Sequence, residues 1–275
     1  MPELPEVETI VRDLRPNLVG RRVEQVDLIR EAVVRFPDPA SFRSRLRARR
    51  IASVRRRGKF IHIGLGGGED LVVHLGMTGT LTLRPLGDPL LLHTHLRLEL
   101  DDGGQELRYR DPRRFGRVVL GHVGELRAAG ALPRLGPEPL AAGFGQSSVT
   151  QELRSSRRAV KSVLLDQGVV AGCGNIYADE ACFLARVRPD RPASGLSREQ
   201  ARRLVLALPL VMRQALRRRG TSFSDYRDGF GSRGGALEAL LVYGRASLPC
   251  VRCGSTLQQT RVGGRTTVYC VGCQH

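Results

Sequence analysis

Lysine is scarce in this 275-residue sequence, acidic residues are in the minority, and long apolar runs are missing. Only Lys59 and Lys161 are lysines among 44 basic residues, which face 27 Asp and Glu residues, so the formal net charge is +17. The apolar stretches are too short to span a bilayer, which excludes a membrane-spanning helix. The N-terminal MPELPEVETI has three acidic residues and no basic one, which does not fit a secretion signal. We therefore expect a cytoplasmic protein.

The excess of positive charge favours a polyanionic partner. Nucleic acid is the first candidate and an anionic membrane surface is the second. GC-rich coding also raises the arginine content without a functional reason, so the charge alone identifies no activity. A hydrophobic content of 41% supports a folded core, and the length fits one large domain or two modest ones.

Four of the six cysteines form two CxxC pairs separated by 16 residues. These are Cys250, Cys253, Cys270 and Cys273. The spacing is typical of a four-cysteine zinc site, and the absence of an open ligand position indicates a structural ion. Two disulfides or a redox pair are the alternatives. An intracellular chain disfavours disulfides, and two paired CxxC turns fit zinc better than a redox pair. Cys173 and Cys182 have no metal spacing and are predicted to be buried thiols.

The pattern of short alternating runs and turn residues predicts an antiparallel β-sandwich near the N-terminus, followed by helices. The predicted strands are Val23–Ile29, Ile51–Arg57, Phe60–Leu65, Leu71–Leu75, Leu92–Leu100, Glu106–Arg110 and Arg117–Leu120, with Asp102 in a turn. The predicted helices cover 3–18, 39–49, 149–156, 159–166, 176–184 and 197–219. A Pro- and Gly-rich linker at 134–148 divides the chain. The fold class is therefore α+β and multidomain.

The first residues carry a possible nucleophile. Methionine is normally removed before a small residue such as Pro2, and a free secondary amine then starts the chain. Such an amine can attack an aldehyde-like carbon and form an iminium. A helix N-terminus disfavours its ammonium form, and the carboxyl groups of Glu3 and Glu6 can serve in proton transfer. The alternative is that the prolines stiffen the start and the acids only favour the helix dipole.

Several motifs occur together and in a fixed order. They are PELPEVET at 2–9, RRRGKF at 55–60, HLGMTG at 74–79, DPRRFG at 111–116, AGCGNIYADE at 171–180, LVYGR at 241–245 and the four-cysteine ribbon. In this combination the sequence resembles the bacterial formamidopyrimidine-DNA glycosylases, which remove oxidised purines from DNA. The resemblance covers nearly the whole chain.

The resemblance implies a domain order. It consists of a catalytic β-sandwich domain with flanking helices at 1–133, the linker at 134–148, a helix-two-turn-helix domain with a lesion lid at 149–246, and a zinc finger at 247–275. It also implies a monomer that binds duplex DNA containing oxidised bases or abasic sites, and one structural zinc ion.

The resemblance also implies roles for single residues. Pro2 would attack the sugar C1′, Glu3 would be the general acid, Glu6 would hold the N-terminal geometry, and Lys59 would contact a phosphate near the lesion. The strand would then be cut by β- and δ-elimination. The remaining positions would contact DNA, with Met77, Arg113 and Phe115 filling the gap left by the flipped base; this set is His74, Met77, Arg113, Arg114, Phe115, Lys161, Asn175, Tyr243 and Arg265.

Some of these residues have an ordinary structural alternative. Lys59 could be a solvated lysine, Met77 a core residue and His74 a satisfied strand histidine. Asn175 is predicted to cap the helix that begins at Ile176. Both lysines fall inside motifs of a chain that otherwise uses arginine, which indicates that these two sites require a compact ammonium. Lys161 is expected to face the DNA backbone.

The glycine-rich residues 224–235 correspond to the family's lid over the flipped base, with Ser224, Tyr226 and Arg227 as lid residues. Here the sequence departs from the family, because Ser224 replaces a lysine of some members and Ala236 a common aromatic. Residues 39–68 contain eight arginines, Lys59 and no acid. They are a candidate DNA-facing surface, and the alternative is that much of the block is a solvated face. Two rival functions remain open, namely an oxidised-pyrimidine glycosylase of the same superfamily and a non-catalytic zinc-ribbon DNA-binding protein.

Overall fold

The computed structural model describes residues 1–101 and 103–275, except for the side chain of Gln146. The predicted turn residue Asp102 lies outside the described residues. The chain forms two compact units, Met1–Pro133 with Arg218–Gly235, and Arg134–Arg217 with Ala236–His275. The lid loop (224–235) is therefore part of the first unit. Within the described residues, no helix is both long and apolar enough to cross a membrane.

The first unit is a sandwich of two sheets with helices at its side. Its elements are α1 (Leu4–Leu18), β1 (Val23–Leu28), β2 (Val34–Phe36), α2 (Pro39–Leu46), β3 (Ile51–Arg57), β4 (Phe60–Leu65), β5 (Asp70–His74), β6 (Thr80–Pro85), β7 (Thr94–Leu100), β8 (Gln105–Arg110), β9 (Arg117–Gly121) and α3 (Val123–Ala128). The strand orders are β1-β7-β8-β6 and β2-β9-β5-β4-β3. One hydrophobic core takes residues from both sheets and from α1. The predicted sandwich is confirmed, with one parallel pair, β2 and β9.

Helix α1 positions the start of the chain. Its apolar residues recur at helical spacing and are fully buried; they are Leu4, Val7, Ile10, Val11, Leu14 and Leu18. Pro5 lies in the first turn, where a missing N–H costs nothing. Glu3 has an extended backbone and forms the N-cap. Pro2 is therefore held directly before a buried helix.

Several element boundaries differ from the sequence prediction, and strands β2 and β6 were not predicted. Helix α2 ends at Leu46 and not at Arg49, because Arg47 is extended and Ala48 has a left-handed backbone with φ of 62°. Strand β2 was not predicted because it has only three residues. The alternating Thr–Leu pattern of Thr80–Pro85 was not predicted as a strand, although it forms β6 and pairs with β8.

The second unit contains helices and a two-stranded ribbon. Its elements are α4 (Gln146–Ser155), α5 (Val160–Leu164), α6 (Asn175–Leu184), α7 (Arg198–Arg217), β10 (Gln258–Val262) and β11 (Arg265–Tyr269). Ser197 and Gln200 form the predicted capping box of α7, with N–O distances of 2.9 and 3.1 Å. The helix predicted from residue 149 begins three residues earlier. Leu257 and Val268 of the zinc-finger region form one hydrophobic cluster with Phe183 and Val242.

Candidate functional site

The N-terminal carboxylates are buried and joined by hydrogen bonds. Glu3 is 2% exposed and Glu6 is 1% exposed. The Glu3 backbone N–H donates to Glu6 Oε2 at 2.9 Å, and the Glu3 side chain accepts from the Glu6 backbone N–H. The other oxygen, Glu6 Oε1, accepts from the Thr221 N–H at 2.8 Å. Glu6 therefore holds the first residues in one position, as a supporting residue for Pro2 would.

The lid loop is anchored to α1 at its root. Arg219 Nη2 lies 2.7 Å from Asp13 Oδ2 and 2.6 Å from Asp228 Oδ2. Hydrogen bonds to Asp228 and Asp13 raise the pKa of Arg219 above its usual value. The Tyr226 hydroxyl is buried and donates to the carbonyl of Arg219 at 3.1 Å. Tyr226 therefore anchors the loop to the interior of the first unit, while Ser224, the first residue of the loop, is exposed.

Residues of the lid loop form part of the wall of a polar cavity of about 260 Å³. The cavity is lined by threonine and arginine side chains of the neighbouring sheet and by Ser224, Asp225, Arg227 and Gly231. Arg227 Nη1 donates to the carbonyls of Ser224 and Tyr226, both at 2.8 Å. The Arg227 guanidinium is thus used to shape the loop.

His74 is kept neutral beside Lys59. Lys59 follows β3 and is only 7% exposed, while the His74 ring lies 4.8 Å from that of Phe60. Burial, followed by the charges of Arg117 and Lys59, lowers the pKa of His74 to about 4. His74 Nδ1 accepts from the Gly76 N–H at 3.3 Å, so Nε2 carries the proton. His74 can therefore donate one hydrogen bond to an anion without carrying charge.

The three predicted gap-filling residues lie on two turns. Met77 is half-buried, and it is not part of the core of the first unit. Phe115 is 56% exposed, and the Arg113 guanidinium stacks 4.8 Å from its ring centre. Arg114 has a left-handed backbone with φ of 58°. The Phe115 ring therefore lies at the surface of the first unit, covered on one side by the Arg113 guanidinium.

The basic block at 39–68 is mostly paired within the protein. Five of its eight arginines form ion pairs with acidic residues elsewhere in the chain; they are Arg43, Arg45, Arg49, Arg55 and Arg56. Arg50 donates to the carbonyl of Gly20. Most arginines of the block are therefore engaged in contacts within the protein, and its role as a DNA-facing surface stays a prediction.

Sequence reasoning missed a second basic site. Arg30, Arg35 and Arg114 line a cavity of about 250 Å³ together with buried His95. Within the described part of the chain, no acid lines this cavity and no ion pair involves these three arginines. Burial and the charge of Arg35 lower the pKa of nearby Arg117. Arg35 within β2 and Arg30, which precedes this strand, gave no motif signal, and only the fold brings them to Arg114.

Lys161 does not face DNA, and that prediction is wrong. Its side chain is fully buried, and Nζ lies 2.6 Å from Asp179 Oδ1, which is also fully buried. Nζ also donates to Thr266 O and Thr267 Oγ1, both at 2.9 Å. The Val268 N–H donates to Asp179 Oδ2 at 3.0 Å. The lysine therefore joins α5 and α6 to the ribbon strand β11.

Asn175 is also placed differently from its prediction. Helix α6 begins at Asn175 itself and Gly174 is its N-cap, so Asn175 is not the cap. Its Nδ2 donates to Thr266 O at 3.1 Å and to the Tyr243 hydroxyl at 3.3 Å. Asn175 and Tyr243 thus meet beside β11, which begins at the exposed Arg265. The structure brings these three predicted phosphate contacts to one part of the second unit.

The four ribbon cysteines form one cluster that fits zinc. Their Sγ atoms all lie within 4.8 Å of one another. The distances are 3.9 Å between Cys250 and Cys273 and 3.5 Å between Cys253 and Cys270. A tetrahedral zinc site has sulfur–sulfur separations of roughly 3.8 Å, whereas a disulfide needs about 2.05 Å. The chain therefore carries a structural zinc site with four thiolate ligands. Cys173 and Cys182 are buried, as predicted.

Loss of one ligand should remove the zinc ion. Cys250→Ser is expected to bind less than one tenth of the zinc of the wild-type protein and to unfold the ribbon, because zinc-binding energy in such modules is folding energy. Metal content per chain and ribbon amide NMR signals measure both effects. Cys173→Ala is the control and should retain one zinc ion. If Cys250→Ser still binds DNA normally, the ribbon is dispensable for binding.

Comparisons with known proteins agree with this geometry. Residues 1–118 match the formamidopyrimidine-DNA glycosylase N-terminal domain, residues 135–227 its H2TH domain, and residues 247–275 the zinc finger found in FPG and IleRS. A formamidopyrimidine-DNA glycosylase of Moorella thermoacetica is 46% identical over 261 residues, covering 95% of each chain.

Solved structures extend the likeness to three dimensions. A Lactococcus lactis Fpg variant in complex with Fapy-dG-containing DNA has a TM-score of 0.92 at 32% identity, and 99% of each chain is covered. The Lactococcus lactis Fpg bound to DNA with an abasic site has a TM-score of 0.91, with the same identity and coverage. On domains, sequence and structure together, the chain belongs to the formamidopyrimidine-DNA glycosylase family of DNA-repair enzymes.

Proposed function

We propose that the protein excises oxidised purines, such as 8-oxoguanine and formamidopyrimidines, from duplex DNA and then cuts the strand as an AP lyase. The observation that carries this proposal is the buried start of the chain. Pro2 precedes a helix whose cap, Glu3, and third residue, Glu6, exchange hydrogen bonds. A nucleophile and a carboxylic acid are thereby held next to each other in a fixed geometry.

The chemistry follows from a secondary amine. With Met1 removed, the Pro2 nitrogen attacks C1′, the bond from C1′ to the base breaks, and the base leaves with a proton. Glu3 donates a proton to the ring oxygen as the sugar opens, which gives an iminium at C1′. The iminium acidifies the C2′ protons, so β-elimination breaks the C3′–O bond. The δ-elimination then breaks the C5′–O bond, and water releases Pro2.

Contacts to the DNA backbone support this reaction. Lys59 and His74 supply a positive charge and a neutral donor in the first unit, and Asn175, Tyr243 and Arg265 form a group in the second. Met77, Arg113 and Phe115 fill the space that a flipped base leaves, because an enzyme acting on a base must take it out of the stack. The partner is duplex DNA with an oxidised base or an abasic site. We infer that the protein acts as a monomer in the cytoplasm, at the nucleoid.

Borohydride trapping tests the imine. Protein incubated with a duplex carrying 8-oxoguanine and then reduced should form a covalent adduct with most of the oligonucleotide. Mass spectrometry should locate the adduct on Pro2, because reduction converts the iminium into a stable amine. An undamaged duplex of the same sequence is the control.

Three outcomes distinguish the functions. An adduct on Pro2 with 8-oxoguanine supports the proposal. A stronger adduct with an oxidised pyrimidine shows the related pyrimidine enzyme instead. Binding to DNA without an adduct on any lesion shows a DNA-binding protein without this chemistry.

A further inference from the structure

The two turns that carry Met77 and Phe115 meet on a single buried carboxylate. Asp111 is fully buried at the end of β8. Its Oδ1 accepts from the Thr78 hydroxyl at 2.5 Å. Its Oδ2 accepts from the Gly116 N–H at 2.8 Å and from the Tyr109 hydroxyl at 3.3 Å. One carboxylate thus holds a residue from each turn.

Thr78 closes the connection between the turns. Its hydroxyl donates to Asp111 and accepts from the Arg113 N–H at 3.2 Å. The buried His95 Nε2 donates to the Asp111 carbonyl at 2.9 Å, which holds the backbone of the same residue. Residues 75–79, the first wedge turn, and residues 111–116, the second wedge turn, are therefore linked by side-chain hydrogen bonds on their buried side.

The backbones of the two wedge turns also touch. Gly76 has φ of +62°, and a Cβ there would lie 2.5 Å from the Gly116 nitrogen. A Cβ on Gly116 would lie 2.6 Å from the His74 carbonyl and would collide with the Tyr109 hydroxyl. Neither glycine has room for a side chain, so the two turns pack closely against each other.

The Asp111 carboxylate is buried and is held by hydrogen bonds on both of its oxygens. No ion pair involves Asp111 within the residues that the structure describes, so its charge is balanced only by hydrogen bonds. Burying a carboxylate without a cation is costly unless every oxygen is satisfied. Burial raises the pKa of Tyr109, so its hydroxyl remains a donor. Asp111 has no exposed surface from which it could touch DNA.

From this geometry we infer that Asp111 is a positioning residue that, through Thr78, holds Met77, Arg113 and Phe115 as one rigid wedge for the gap opened by base flipping. The inference rests on the proposed function. The wedge must enter a stacked duplex, and a loosely held turn would yield instead of parting the bases. Asp111 thus acts on lesion capture in duplex DNA and not on the chemistry at C1′.

Thr78→Val tests the inference with little change of shape. Valine matches threonine in size but removes the hydroxyl that serves both Asp111 and Arg113. Excision of 8-oxoguanine from duplex DNA under single-turnover conditions should fall about tenfold or more, the effect of losing a hydrogen bond to a charged group. The fluorescence change of 2-aminopurine opposite the lesion, which reports insertion of the wedge, should fall with it.

A second substrate distinguishes a loss of wedge positioning from a general loss of activity in the variant protein. Trapping on a single-stranded oligonucleotide with an abasic site requires no opened base pair, so Thr78→Val should trap it at the wild-type rate. Thr78→Ser keeps the hydroxyl and should restore duplex excision. If Thr78→Val folds poorly, Asp111→Asn, which keeps the shape without the charge, should show the same selective loss to a smaller extent.

The outcomes are distinct. Wild-type duplex excision by both variants overturns the inference, as does an equal loss on the duplex and on the single strand. If the wild-type protein itself traps neither substrate, the proposed function has failed, and the wedge contacts are then a structural feature only.

Discussion

Protein that keeps a residue before Pro2 is expected to lose base excision by roughly a thousandfold or more, the scale of removing a catalytic nucleophile. An amide nitrogen has no free electron pair for attack on C1′, so neither the glycosidic bond nor the strand would be broken through Pro2. Retained Met1 or a short N-terminal tag produces this block. Single-turnover excision on a duplex with 8-oxoguanine measures the loss, and a gel-shift assay shows whether DNA affinity persists.

The control restores the amine in the same preparation. A tag removed by a protease that leaves Pro2 as the first residue should recover excision to the wild-type rate. A blocked protein that excises at the wild-type rate would refute the role of Pro2. Glu3→Gln with a free Pro2 should retain DNA binding and lose opening of the sugar ring. This result would distinguish the role of the Glu3 carboxyl from that of the Pro2 amine.

Replacing Lys161 by Met is expected to lower the free energy of unfolding by about 3–5 kcal/mol, because it leaves the buried Asp179 carboxylate without its cation. Burial already raises the pKa of Asp179 to about 7, although Lys161 opposes the shift. Removal of the ammonium raises that pKa further. Denaturant unfolding monitored on the second unit measures the change.

The loss should depend on pH with a definite sign. The pKa of Asp179 is raised in the folded state above its unfolded value near 3.8. The folded variant then binds more protons than the unfolded chain, and its stability falls as pH rises through this interval. Lys161→Met should therefore be less destabilised at pH 5 than at pH 8. The double variant Lys161→Met with Asp179→Asn should lose this pH dependence. A pH-independent loss would contradict the assigned pair.

Much of the first unit could be predicted from local pattern. Strands β3 and β4 were bounded correctly, because alternating apolar residues are interrupted by the Gly58 turn. The zinc site could be predicted from cysteine spacing alone. The two strands depend on residues close to each other in the sequence. The zinc site depends on cysteines, whose spacing is typical of few other kinds of site.

Long-range pairing could not be predicted. Lys161 bonds to Thr267, which is 106 positions away, and no local signal separates such a lysine from one that faces a phosphate. The ion pair between Arg56 and Glu8, which are 48 positions apart, was not predicted either. The scarcity of lysine drew attention to Lys161, but its ammonium contacts Asp179, Thr266 and Thr267 of the protein itself.

The contact between Gly76 and Gly116 limits which residues the two short motifs around them can contain. A side chain added at Gly76 is not accommodated by another side-chain change in DPRRFG, because the atoms that it would meet are backbone atoms of Phe115 and Gly116. Substitution of either glycine is therefore restricted by the backbone of the other turn, although the two glycines lie 40 positions apart in the sequence. The two motifs, which are separate along the sequence, therefore form one packed unit in the structure.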